Sequence, residues 1–73
     1  MDTIYQDFAN AIVMQAVKDY RKALHQLTRN PRHAAALMRK LEIPQFFRSD
    51  WYTRLTNVDP ETLITRLNGE AKV

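Results

Sequence analysis

The sequence has no cysteine. No disulfide can staple the chain, and no thiolate can serve it as nucleophile or metal ligand, which fits a reducing compartment. A single glycine, Gly69, excludes any glycine-rich phosphate loop. Three prolines and one glycine leave few interruptions, so disorder is expected only at the tail. No apolar run approaches the roughly 18 residues that a membrane span requires. The opening MDTIYQDFAN carries acid where a secretory signal carries basic residues. These features predict a cytoplasmic chain with no membrane association.

What is present favours helix. Ala, Leu, Arg, Lys and Gln are plentiful, β-branched residues are sparse, and alternating strings are absent. Seventy-three residues suffice for one small domain. A chain of this size buries only about 60% of the surface that its unfolded form exposes. The expected architecture is all-α: one long N-terminal helix packed by two or three shorter ones over residues 1–69, with 70–73 a frayed tail.

Residues 3–28 read as the long helix. Phe8, Ile12, Ala16, Tyr20 and Leu24 recur every fourth position, with Tyr5, Ala9, Val13, Val17, Ala23 and Leu27 beside them. Together they span an arc of roughly 180°, wider than a surface helix needs, so more than one neighbour must cover it. Met14 is the apolar exception on the opposite side. Asn30-Pro31 reads as N-cap and first residue of a second helix, in which Ala34, Leu37, Met38 and Leu41 line one side. Pro44 disfavours helical geometry at Ile43 and predicts a break or kink. Near the end, Asp59 reads as N-cap, Pro60 as the first helical residue, Leu63, Ile64 and Leu67 as the buried edge, and Gly69 as the stop.

Between them lies FFRSDWYTRLT, residues 46–56. As one helix it stacks Phe47, Trp51 and Leu55 at i, i+4 and i+8; alternatively, Ser49 caps a fresh turn and splits it. The expected core is therefore Phe8, Ile12, Tyr20, Leu24, Phe47, Trp51, Leu55, Leu63 and Leu67. Phe46 and Tyr52 lie off that stripe and, with Tyr5 and Met14, are candidates for a protein interface.

This run, followed by VDPETLITRL (58–67) and preceded by AIVMQAVKDYR (11–21), resembles small proteins encoded by phages and prophages of Gram-positive bacteria. Pro60 stands where that pattern more often has glycine. The resemblance carries no catalytic residues; it implies a phage-related origin and a role inside a bacterial host.

The formal net charge is +3, concentrated in the middle. Residues 18–54 carry a net +6, residues 1–17 carry −2, and residues 55–73 carry −1. Arg29, Arg32, Arg39, Lys40, Arg48 and Arg54 are thus candidate phosphate contacts for a nucleic acid. They are dispersed, which suits non-specific contact better than base reading. The segment around Pro44 matches a helix-turn-helix only weakly.

Chemistry finds little support. His25 and His33 lack the i, i+4 spacing of paired ligands and read as solvated surface residues, and Ser49 has no neighbouring histidine in sequence. Asp50 is placed to pair with Arg54, four residues on, or to complement a helix start. No enzyme activity, cofactor, metal or small-molecule substrate is expected. A protein partner or a homo-oligomer is the leading expectation, with nucleic acid as the alternative.

Overall fold

In the computed structural model, which describes residues 3–71, the chain forms four helices. These are α1 (Thr3–Arg29), α2 (Ala34–Phe47), α3 (Asp50–Leu55) and α4 (Pro60–Glu70). No strand occurs among the described residues. The all-α architecture of one long helix packed by shorter ones is therefore the fold. At 1.5 Å per residue α1 is about 40 Å long, and it sets the long dimension of a 44 × 20 × 20 Å body.

The core lies along the C-terminal half of α1. Val17, Tyr20 and Leu24 pack with Phe47, Tyr52, Ile64 and Leu67, and Val13, Ala16, Ile43, Phe46 and Leu63 close its edges. Ala23 and Ala36 are wholly buried, which lets α1 and α2 approach closely. The rings of Phe47 and Tyr52 meet at 5.7 Å and those of Tyr20 and Phe47 at 6.2 Å, both edge to face. Aromatic pairs favour this geometry because the positive ring edge meets the negative face. The Tyr20 hydroxyl donates to Asn68 Oδ1 at 2.8 Å, tying α1 to α4.

Local chemistry explains the boundaries and corrects several expectations. Asn30-Pro31 does not start α2. Asn30 Oδ1 accepts from the Arg32 amide at 3.1 Å, making a turn, and His33 is the N-cap, its Nδ1 accepting from the Ala36 amide at 3.1 Å. His33 is accordingly half-buried and structural rather than freely solvated. The helix does not break at Pro44 either: it runs to Phe47 with the proline ring buried. Burial of that ring in the core offsets the hydrogen bond that proline cannot donate. The stop comes at Ser49, whose Oγ accepts from the Tyr52 amide at 3.2 Å and donates to the Phe46 carbonyl at 2.6 Å.

That break re-phases everything after it. With two helices instead of one, Tyr52 rather than Trp51 continues the buried line from Phe47. Tyr52 is wholly buried, whereas Trp51 is 58% exposed and Leu55 only half-buried. The expectations that Trp51 belongs to the core and that Tyr52 is open to a partner are both reversed. Phe46 is half-buried, with its ring 5.8–6.1 Å from those of Phe47, Trp51 and Tyr52.

Helix α4 begins as the sequence indicates. Asp59 Oδ2 accepts from the Thr62 amide and hydroxyl, both at 2.9 Å, which holds its carboxyl below the usual aspartate range. Gly69 does not end it: α4 runs through Gly69 to Glu70 without any left-handed backbone. Of the expected tail, Glu70 is helical, Ala71 is half-buried, and Lys72 and Val73 lie outside the described residues.

Candidate interaction surfaces

Among the described residues, two groups of large apolar side chains are left uncovered. The first is the start of α1. Ile4 is 80% exposed, Tyr5 76% and Phe8 67%. Ile4 and Phe8 share the side of α1 that stays exposed at Ala11, Gln15 and Lys22, whereas Tyr5 shares the side that is covered further along at Ile12, Ala16 and Ala23. Phe8 is thus not a core residue, and Ile12 is only half-buried. For Tyr5 the cause is length. Phe46, at the C-terminal end of α2, sits beside Ile12 and Ala16 and borders with them an open hollow of about 340 Å³. The first two turns of α1 therefore project past the end of α2. Tyr5 and Ile12 continue toward solvent the side that α2 covers higher up, with Phe8 at its edge. Trp51 extends the surface through its edge contact with Phe46 at 6.1 Å.

The second surface is the outer side of α2. Leu37, Met38 and Leu41 are 42%, 54% and 66% exposed, and Ala34 is exposed as well. These residues line one side of α2, as their spacing indicates, and that side is the outer one. The helix is buried through Ala36, Pro44 and Phe47, with Ile43 beside them. The sequence signal was present but ambiguous. Two apolar rows run along α2, one small and aromatic, one of long aliphatic side chains, and periodicity does not say which is covered.

The remaining interface candidates separate. Tyr5 lies on the first surface and Phe46 borders it; Met14 is 47% exposed on the opposite side of α1; Tyr52 is buried. Ile4, Phe8, Leu37, Met38, Leu41 and Trp51 are surface residues that sequence reasoning did not select.

All six candidate phosphate contacts are exposed; Lys40 lies at the Thr28 end of α1 near Arg29, and Arg54 at the other end beside Gln6. Arg29 and Arg32 bracket the α1–α2 turn, while Arg54 lines a hollow of about 450 Å³ with Gln6 and Val58. Gln6 and Arg29 are about 34 Å apart along α1. Arg48 is engaged: its Nε and a terminal nitrogen donate to Glu61 at 2.6 and 3.0 Å, which raises the guanidinium and lowers the carboxyl from their usual ranges. Asp50 has no ion pair to Arg54 among the described residues and sits in the first turn of α3, where its charge complements the helix dipole. Asp19 accepts from Gln15 at 3.0 Å.

Two further hollows, about 470 and 380 Å³, share Leu24, Thr28 and Ala71 at the closed end of the body. The Arg21–Glu70 ion pair, at 2.9 Å, rims the larger one, and Lys40 lines the smaller. No helix among the described residues is long and apolar enough to cross a membrane, and no three potential metal ligands cluster there. Compared with protein-family models, curated proteins and solved structures, the chain matches none.

Proposed function

We propose that this chain is a small non-enzymatic interaction protein, working by self-association, by a protein partner, or both, with the start of α1 as its principal contact surface. The observation that carries this reading is the exposure of Ile4, Tyr5 and Phe8 on a chain with few large side chains to spare. A 73-residue domain gains stability from each aromatic it buries, so leaving Phe8 and Tyr5 in water is a cost that a partner removes. Tyrosine and tryptophan, both present here, are the residue types that dominate protein interfaces. The phage-type resemblance of residues 46–67 is consistent with such a role inside a bacterial cell.

Nucleic-acid binding through the basic middle is the second reading. It rests on the exposure of Arg29, Arg32, Arg39 and Lys40. The separation of Arg54 from the cations at the α1–α2 turn and the engagement of Arg48 by Glu61 weigh against it. Salt separates the two, because phosphate contacts release counterions and apolar contacts do not. Fluorescence anisotropy of labelled duplex and single-stranded DNA at about 50 and 200 mM salt is expected to show no binding at either. Micromolar binding that collapses at the higher salt would replace the protein-interaction reading with the nucleic-acid one.

A further inference from the structure

We infer that the two uncovered apolar surfaces are complementary halves of one contact between copies of this chain, exchanged reciprocally in a two-fold dimer. The start of α1 of each copy, through Ile4, Tyr5 and Phe8, lies on the outer side of α2 of the other, on Leu37, Met38 and Leu41. The inference rests on the interaction reading above and names its partner and the seat of the contact.

Four observations carry it. The rows match in pitch: Ile4 and Phe8 stand one helical turn apart, as do Leu37 and Leu41, the spacing at which ridges of one helix enter grooves of another. The charges are opposite in sign. Asp7 is the only charged residue in 3–17, whereas α2 and the turn before it carry Arg32, Arg39 and Lys40 against Glu42 alone.

The geometry suits a reciprocal contact. One surface projects past the α2 end of a 44 Å body, and the other lies on the outer side of α2 itself. A two-fold axis across the long direction sets each against the other's counterpart.

Finally, the area is sufficient. Taking roughly 200 Å² for a fully exposed large side chain, the exposed fractions of these six residues amount to about 800 Å² per copy, the half-interface of a standard stable complex. Either surface paired with itself offers only about half of that.

The test is complementation between two defective copies. Phe8→Glu spoils one surface and Leu41→Glu the other; both side chains are exposed, so circular dichroism should show each variant as helical as the parent. In sedimentation experiments up to about 300 µM the parent chain should dimerise, and each variant alone should bind itself at least tenfold more weakly. An equimolar mixture should recover heterodimer, because one of the two contacts then joins an intact α1 start to an intact α2. Single cysteines give a second readout in a chain with none of its own. Phe8→Cys mixed with Leu41→Cys should form a mixed disulfide under oxidation, faster than either variant alone links to itself.

A parent chain that stays monomeric at about 300 µM would overturn the inference. So would a dimer lost in Phe8→Glu but intact in Leu41→Glu, although that result would leave the start of α1 as the contact surface. A dimer indifferent to Phe8→Glu would overturn both.

Discussion

The two halves of α1 are written in the same pattern and end in opposite environments. From Val17 to Leu24 the apolar residues are buried among Phe47, Tyr52, Ile64 and Leu67; from Ile4 to Phe8 the same spacing meets solvent. Part of the difference is in α1, whose every-fourth-residue row turns about 40° per step and so carries Ile4 and Phe8 onto the side of the exposed Ala11, Gln15, Lys18 and Lys22. The rest lies in the length of α2, which ends at Phe47 beside Ile12 and leaves Tyr5 uncovered. A helix's periodicity states which side is apolar, and its neighbours decide how much of that side is covered within one chain. The uncovered remainder is available to another chain.

Truncating one phenylalanine in each region should break the comparison most sharply. Phe47→Ala opens a cavity in a fully buried site and should cost about 3–5 kcal/mol, most of the stability of so small a domain. Phe8→Ala should change the stability of the dilute monomer by no more than about 0.5 kcal/mol. Urea denaturation at low micromolar concentration measures both.

The two buried tyrosines sharpen the covered side. Tyr20→Phe removes the hydroxyl that bonds Asn68 and should cost about 1 kcal/mol. The Tyr52 hydroxyl is buried without a partner, so Tyr52→Phe should be neutral or stabilising by a similar amount. Burial raises both phenols above their ordinary range. A smaller gain is expected at Gly69, which is helical and where an added Cβ would touch nothing within 4 Å. Gly69→Ala should stabilise by about 0.5–1 kcal/mol in the same denaturation assay.

The smallest effect concerns acid. Asp59 and Glu61 have carboxyls lowered in the folded state, by the Thr62 hydrogen bonds and by Arg48 respectively. The unfolded chain therefore binds protons first. The stability they contribute is complete above about pH 5 and declines as pH falls through their folded values. Glu61→Gln should flatten part of the stability loss between about pH 5 and 3, read from thermal midpoints across that range.

Much of the fold was legible. The four-residue repeat of α1 and the Asp59-Pro60 start of α4 are strong local signals because cap and core spacing agree there. What failed was phase and cover. The run 44–56 contains a proline that stays inside a helix and a serine that ends one, and the two signals point to different breaks. A continuous helix would align Trp51 with Phe47; the break at Ser49, the other reading the sequence allows, brings Tyr52 there instead. His33 was passed over as a cap because its imidazole reaches the Ala36 amide only in the extended backbone that follows the Asn30 turn. The interaction surfaces were the least legible, since an exposed Leu37 and a buried Leu24 have identical side chains. Only the packing tells them apart.

Amide hydrogen exchange followed along α1 and α2 as a function of protein concentration tests the central claim most directly. At low micromolar concentration, amides of residues 5–9 should exchange far faster than those of 17–27. Raising the concentration toward about 300 µM should protect residues 5–9 and 37–41 together and leave 17–27 unchanged. Equal protection of both halves of α1 at every concentration would contradict the account, because the start of α1 would then be covered within its own chain.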